Sequence, residues 1–141
     1  MKVFLDANVL VAVLNKEYPL FSSAARVLSL GEQRHFTLVT SPLCLAISFY
    51  FAEKKSGTDA ARSKIGLLAS KLEIACTDAR TVMQTVNDQR VHDFEDGLQY
   101  YAAVQANCDA IVTEDASGFY FSELAVCGCE DFLARYVFGR R

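Results

Sequence analysis

The chain has 141 residues, of which 52% are hydrophobic and 22% are charged, and its formal net charge is −3. This length suits a single domain, residues 1–141, and the composition is that of a folded globular protein. The acidic balance argues against strong, unaided binding to a nucleic-acid backbone, because proteins that bind in that way are usually basic. An RNA substrate is still compatible with a negative net charge if a divalent metal neutralises the carboxylates of the site.

The sequence lacks the marks of a membrane protein or an exported protein. No apolar run approaches the ~20 residues of a membrane helix, and Asp6 interrupts the first apolar stretch too early for a signal peptide. We therefore expect a cytoplasmic protein with no membrane partner. In that compartment the five cysteines are expected to be reduced and mostly buried. The spacing of Cys127 and Cys129 does not suit a zinc site.

The first third of the chain alternates between strand-like and helix-like segments. Lys2–Asp6 predicts a buried first strand, and Ala7–Asn15 predicts a helix with leucines on one face. A second helix is expected from Pro19 to about Gly31, because glycine commonly ends helices.

The middle of the chain repeats this alternation. Phe36–Thr40 predicts a second strand, and Ser41 followed by a proline is a favourable start for the helix Pro42–Lys55, which Gly57 closes. The first part of that helix is apolar nearly all round, so we expect it to be buried.

Two more helices enclose the third strand. The fourth helix is capped by Thr58 or Asp59, the third strand is Leu72–Cys76, and the fifth helix runs from Thr77 to Asn87.

The last elements complete the fold. They are a sixth helix, a fourth and a fifth strand, and a short final helix: Asp93–Asn107, Ala110–Thr113, Leu124–Cys127 and Glu130–Val137. The order predicts an α/β three-layer sandwich, with a central parallel sheet of about five strands and helices on both faces.

Three acids are predicted at one edge of this sheet. Asp6 closes the first strand, Asp115 lies just beyond the fourth strand, and Asp96 lies in the first turn of the sixth helix. Ligands of parallel sheets collect at the carboxyl ends of the strands. Crowded carboxylates repel one another, and a cation such as Mg²⁺, which prefers oxygen ligands, relieves that repulsion. The pattern favours metal-assisted hydrolysis of a phosphodiester, with these three acids as metal ligands.

Each acid also has a purely structural interpretation. Asp6 is a suitable cap for the helix that follows it, and Asp93 is as suitable for an N-cap as for a ligand. Asp115 suits a turn. Glu95 and Glu114 are more typical of solvated surface acids. The hypothesis therefore depends on the joint placement of the acids rather than on any one of them.

Three segments resemble motifs of the PIN-domain family, which includes the toxin ribonucleases of bacterial VapBC toxin–antitoxin pairs. Phe4–Leu10 resembles the opening motif, hydrophobic-Asp-x-Asn. Asp93–Ala103 resembles the helix of the family's third acid, with Asp96 in the place of that acid. Ile111–Asp115, followed by Phe119, resembles the closing Thr-x-Asp motif. The resemblance covers essentially the whole chain, and the order and spacing of the three motifs match those of the family.

The resemblance implies a fold, an activity and partners. The expected fold is a five-stranded parallel sheet, and the expected activity is Mg²⁺- or Mn²⁺-dependent cleavage of single-stranded RNA. Asp6, Asp96 and Asp115 would be catalytic. A homodimer is expected and, for a toxin, a small antitoxin protein that blocks the site.

One position departs from the family pattern. Ile47 stands where the family usually has a second acid and some relatives have a polar amide. Ser48 points about 100° away on a helix, and Glu53 is nearly two turns further on. Losing a ligand weakens metal binding unless Asp93 compensates as an additional catalytic acid. The alternative function is therefore a catalytically weakened PIN-like module that binds RNA or a protein.

Two polar side chains are candidates for substrate binding. Asn8 is expected to hydrogen-bond Asp6 or the substrate, or to cap the helix. Thr113 is expected to orient a water molecule at the metal, or to be an ordinary strand-end hydroxyl. Asn8 also disfavours a haloacid-dehalogenase-like phosphatase, which needs an acid at that position.

Aromatic and basic residues add weaker candidates. Tyr100 and Tyr101 suit either base stacking or core packing, of which core packing is the more typical. Arg140 and Arg141 suit either contact with phosphate or a solvated tail.

Overall fold

The computed structural model describes residues 1–139, and its centre is a five-stranded sheet in which every neighbouring pair of strands is parallel. The strand order across the sheet is β3-β2-β1-β4-β5. The strands are β1 (Lys2–Leu5), β2 (Thr37–Thr40), β3 (Glu73–Ile74), β4 (Ala110–Val112) and β5 (Ala125–Cys127).

Seven α-helices connect and flank these strands within the described residues. They are α1 (Ala7–Leu14), α2 (Leu20–Ser29), α3 (Pro42–Ser56), α4 (Thr58–Lys71), α5 (Ala79–Asn87), α6 (Phe94–Gln105) and α7 (Cys129–Leu133). Short 3₁₀ turns lie at Leu30–Glu32 and Ala116–Phe119, and α7 continues into a π-helical turn, Ala134–Phe138.

The helices lie on both faces of the sheet. From β1 the chain moves outward through β2 to β3, and it then returns to place β4 on the other side of β1. Because crossovers between parallel strands are right-handed, this reversal puts α5 and α6 on the face opposite to α1–α4. Contacts join α1 to α2 and α3, α3 to α4, and α5 to α6. The predicted three-layer α/β sandwich is confirmed.

The central strands are apolar because helices cover both of their faces. Val3, Phe4 and Leu5 of β1 are fully buried, as are Ile111 and Val112 of β4. Each such side chain contributes roughly 1.5–3 kcal/mol when it leaves water. The core thus fixes the two strands whose ends carry Asp6 and Asp115.

Two predicted elements differ from the structure. The strand predicted at Leu72–Cys76 is only Glu73–Ile74, and both residues are exposed because β3 is at the edge of the sheet. The helix at Pro42–Ser56 buries only one stripe, which consists of Cys44, Ser48 and Ala52. The prediction that its first part is buried all round was wrong, because a helix that covers one face of a sheet leaves its other side open.

Smaller differences concern helix ends and cysteines. Asp78, not Thr77, caps α5, since its side chain accepts a hydrogen bond from the Thr81 amide at 3.1 Å. All five cysteines are free thiols; four are buried and Cys76 is exposed, as expected for a reduced protein. Within residues 1–139 no helix combines the length and the hydropathy needed to cross a bilayer.

Helix α6, which carries Asp96, packs closely against its surroundings at Gly97. A Cβ atom added to Gly97 would lie 2.5 Å from Cγ2 of Thr85 and 2.6 Å from Cγ1 of Val91. Only glycine allows this close approach.

We expect the variant Gly97→Ala to lower the free energy of unfolding by about 1–3 kcal/mol, the usual cost of overpacking. The matched control is Gly66→Ala in α4, where no described atom lies within 4 Å of an added Cβ. The free energy of unfolding of that control should rise by roughly 0.5–1 kcal/mol, because alanine favours the helix more than glycine does. Urea unfolding measures both changes, and equal effects of the two substitutions would contradict the packing argument.

Candidate active site

The candidate site lies where the strand order reverses, between β1 and β4. Asp6 directly follows β1, and its backbone amide donates a hydrogen bond to the Val112 carbonyl of β4 at 3.0 Å. Asp115 follows β4 three residues later. Crevices at the carboxyl ends of such strands are the usual ligand sites of parallel sheets.

Asp6 is held in a fixed orientation and is largely withdrawn from water, with 7% of its surface exposed. Its Oδ2 accepts a hydrogen bond from the Thr113 hydroxyl at 2.7 Å, and its Oδ1 accepts one from the Ala7 amide at 2.7 Å. Asp6 is therefore the N-cap of α1, and the capping interpretation is confirmed. Burial raises the pKa of Asp6, against the opposing effect of these hydrogen bonds, and the charge of Asp115 raises it further.

The two substrate-binding candidates support the acids. Thr113 is fully buried, and its hydroxyl oxygen accepts hydrogen bonds from the Asn8 amide nitrogen and the Asp115 backbone amide, both at 3.1 Å. Because it donates its own proton to Asp6, Thr113 orients that carboxylate. The structure thus corrects its predicted contact with substrate or water. Asn8 also accepts from the Glu114 amide at 3.2 Å and remains accessible in the site.

Asp96 and Asp115 converge on Gly118. A Cβ atom added to Gly118 would lie 2.8 Å from Oδ2 of Asp96 and 3.0 Å from Oδ2 of Asp115. The two carboxylates come from α6 and from the loop after β4, so this juxtaposition is tertiary. Burial, followed by the charges of Asp93 and Asp6, raises the pKa of Asp96 to about 7.

The three predicted acids line one pocket of about 420 Å³. Its lining combines acidic and apolar side chains, which we call the acidic wall and the apolar wall. The acidic wall is formed by Asp6, Glu17, Glu95, Asp96 and Asp115 together with the amide of Asn8. The apolar wall is formed by Val11, Leu20, Ile47 and Phe51. Ile47 therefore faces the acids, at the place where the family pattern puts its second acid.

No lysine or arginine neutralises these acids among residues 1–139. The ion pairs in that part of the chain are Lys2 with Glu73 and Arg90 with Asp88. The carboxylates of the pocket are thus left to repel one another, and this arrangement suits a cation from solution.

Asp93 has a different role in the structure from the three pocket acids. Its Oδ1 accepts a hydrogen bond from the Asp96 amide at 3.1 Å, so Asp93 is the N-cap of α6. It does not line the pocket, although its charge acts on Asp96. Compensation by Asp93 for the missing second acid stays a prediction.

Sequence reasoning missed several residues at the site. Glu95 is exposed, as expected for a solvated acid, but it also lines the pocket, and partial burial followed by the charges of Asp93 and Asp6 raises its pKa. Gln99 is buried behind the pocket, hydrogen-bonds to Asp6 and accepts the Cys44 thiol proton. The available signal was helical spacing, because Gln99 lies three residues after Asp96 and thus on the same face of α6.

The other candidates have structural roles or lie outside the described residues. Tyr100 is buried, and its ring packs edge-on against Phe121 at 5.2 Å. Core packing is thus confirmed for Tyr100. Tyr101 is partly buried against the core, and its hydroxyl donates to Asp88 at 2.6 Å. The positions of Arg140 and Arg141 lie outside the described residues.

The donor chemistry of the pocket fits a hard divalent cation. All of its charged groups are carboxylates, and such oxygens are the ligands of Mg²⁺ and Mn²⁺. In the described part of the chain, no three Asp, Glu, His or Cys side chains are already close enough to enclose an ion. Mg²⁺ does not need such a cage, because it keeps several waters and typically takes one or two carboxylates plus substrate phosphate.

Comparison with known proteins gives the family. The family model described as "PIN domain" matches residues 2–117. The chain belongs to the PIN domain family. This PIN domain is 28% identical over 139 residues to Ribonuclease VapC1 of Aquifex aeolicus, a match that covers 96% of this chain and 95% of that relative.

Solved structures share the PIN fold. VapBC-1 from nontypeable Haemophilus influenzae superposes with a TM-score of 0.70 at 16% identity, over 92% of this chain and 99% of that chain. VapC20 of Mycobacterium tuberculosis, a toxin that cleaves the sarcin-ricin loop, superposes with a TM-score of 0.65 at 18% identity, over 86% of this chain and 98% of that chain. At these identities the likeness establishes the fold.

The crowding of acids in this PIN domain predicts a pH-dependent stability in the absence of metal. The pKa of Asp96 is raised from 3.8 to about 7, so the folded protein keeps the proton over a range in which the unfolded chain releases it. Stability therefore falls as the pH rises from about 4 to about 7 and stays low above that range. In EDTA at pH 8, Asp96→Asn should raise Tm by a few degrees, because asparagine cannot acquire the charge.

Asp59→Asn is the matched control for this measurement, since Asp59 is exposed in the first turn of α4. Its Tm should stay level or fall slightly, because an acid there favours the helix N-terminus. An Asp96→Asn variant that melts no higher than wild type at pH 8 would contradict the proposed repulsion. Thermal unfolding followed by circular dichroism measures the difference.

Proposed function

We propose that this PIN domain is a metal-dependent endoribonuclease that hydrolyses phosphodiester bonds of single-stranded RNA, and that it is the toxin of a toxin–antitoxin pair. The observation that carries the proposal is the convergence of Asp6, Asp96 and Asp115 in one pocket without a neutralising cation in residues 1–139. The 28% identical relative, named Ribonuclease VapC1, supports the assignment to the nucleases.

Asp6, Asp96 and Asp115 are the residues proposed to hold Mg²⁺ or Mn²⁺. When bound, such an ion stabilises charge on the phosphodiester and lowers the pKa of a water molecule. The three carboxylates come from β1, α6 and the loop after β4, so their convergence depends on folding.

Neighbouring groups of the chain orient the carboxylates of Asp6 and Asp115. Thr113 and the Ala7 amide fix the two oxygens of Asp6, so this carboxylate needs little reorganisation before it acts. Asp115 accepts a hydrogen bond from the Ser117 hydroxyl at 3.1 Å, which restrains one of its oxygens. The apolar wall around Ile47 limits water on the opposite side of the pocket.

The partners follow from the same assignment. We propose a small antitoxin protein that covers the pocket, a homodimer as the functional form, and action in the cytoplasm. The structural neighbour from Haemophilus influenzae is a VapBC protein, which supports an antitoxin partner.

The second candidate function is a catalytically weakened PIN module that binds RNA or a protein. The observation that favours it is Ile47, which occupies the pocket wall without offering a metal ligand. Cleavage by the purified wild-type protein separates the two functions, since a binding module would hold RNA without cutting it.

The first experiment is cleavage of a fluorescently labelled single-stranded RNA with Mn²⁺. We expect cleavage that is abolished by EDTA and reduced on the order of 100-fold or more by Asp6→Asn or Asp96→Asn, because each substitution removes a ligand of the metal that would stabilise charge on the reacting phosphate. The control Asp59→Asn changes the same functional group outside the pocket and should cleave like wild type. An absence of wild-type cleavage across metals and substrates, with RNA still bound, would favour the binding module.

The second experiment returns a carboxylate to the position of Ile47. Ile47→Glu should tighten Mn²⁺ binding by about tenfold or more, because it adds a carboxylate ligand to the pocket that the acids line. The matched control is Ile47→Leu, which keeps the wall apolar. Calorimetric titration measures both affinities, and equal values for the two variants would place this side chain out of reach of the metal.

A further inference from the structure

The apolar wall of the pocket is formed by side chains from three helices. Ile47 and Phe51 are four residues apart on α3, so they share one helix face, and this face lines the pocket. Val11 of α1 and Leu20 of α2 complete the wall. The acids and this wall therefore enclose a single space of about 420 Å³.

Phe51 is the aromatic residue of this wall, and 44% of its surface is exposed. Its ring meets the Tyr50 ring edge-on, with centroids 5.2 Å apart and an interplanar angle of 80°. Its backbone carbonyl accepts a hydrogen bond from the Asn15 side chain at 3.2 Å, which ties this part of α3 to the end of α1. The backbone of Phe51 is thus anchored to α1, and its partly exposed ring lines the pocket that contains the acids.

We propose that this wall is a nucleobase subsite, in which a base next to the scissile phosphate stacks on Phe51 and packs against Ile47. The inference rests on the proposed function, since a phosphate held at the acids would bring its attached base into the pocket that Phe51 also lines. A nucleotide combines both chemistries, an anionic phosphate for a metal held by the acids and a planar apolar base for the aromatic ring.

The chemistry of the wall also sets the selectivity of the subsite. Its side chains at residues 11, 20, 47 and 51 carry no hydrogen-bonding groups, so they do not distinguish base edges. Stacking on an aromatic ring tolerates any base, because every base has a π face. The subsite therefore selects unpaired bases over paired ones, and it favours purines, whose stacking surface is larger.

The test measures binding of single-stranded RNA in Ca²⁺, a hard oxygen-binding cation. The probe is decaadenylate with one 2-aminopurine, whose fluorescence is quenched by stacking, and the comparison probe is a ribose-phosphate decamer without bases. Phe51→Ala should weaken decaadenylate binding about tenfold and abolish the extra quenching. The affinity of Phe51→Ala for the abasic decamer should match that of wild type. The affinity of Phe51→Leu for decaadenylate should lie between those of wild type and Phe51→Ala.

Phe138→Ala is the matched control, because Phe138 has a similar exposed fraction, 50%, and lies outside the pocket lining. It should bind both probes like wild type. Equal losses on both probes, unchanged decaadenylate affinity in Phe51→Ala, or no binding of decaadenylate by wild type would overturn the subsite. Unchanged RNA affinity would instead indicate that the wall receives a protein partner.

The outcomes for the subsite and for the nuclease are separable. Base-dependent binding that requires Phe51, in a protein that cuts no RNA, would support the subsite and refute the nuclease. Cleavage that requires Asp96 but is indifferent to Phe51→Ala would support the nuclease and refute the subsite.

Discussion

The parallel pairing of β1 with β4 is the interaction on which the candidate site depends. Parallel neighbours end at the same edge of a sheet, so the pairing brings the residues after Leu5 and after Val112 together. The hydrogen bond from the Thr113 hydroxyl to Asp6 then joins the two strand ends directly. Because both strands are buried on both faces, packing in the core stabilises this junction, and its stability does not depend on interactions within the site.

The crowding of acids lowers the stability of the folded protein. Asp96 and Asp115 both approach Gly118, and the pKa of Asp96 rises to about 7 because burial and neighbouring carboxylates disfavour its charged form. A metal ion that binds only the folded state offsets this cost by mass action. The same feature therefore lowers the stability of the metal-free protein and is the physical basis of the proposed metal binding.

A single helix face determines what stands opposite the acids. Cys44 and Ser48 point into the core, whereas Ile47 lies on the neighbouring stripe and faces the pocket. An acid at this position adds a metal ligand, and an apolar residue adds a surface for an apolar part of the substrate. The loss of one ligand and the gain of an apolar wall are thus two consequences of one side chain.

The sequence by itself determined the order of the elements, the parallel sheet and the edge at which Asp6, Asp96 and Asp115 are found, because strand ends and helix starts are encoded locally. The tertiary structure decided which way the neighbouring side chains face. It enclosed Thr113, turned Glu95 and Ile47 toward the pocket, and reduced the third strand to two exposed residues at the sheet edge. The physical reason is that burial and orientation depend on contacts between segments far apart in the chain, which propensity and spacing do not specify.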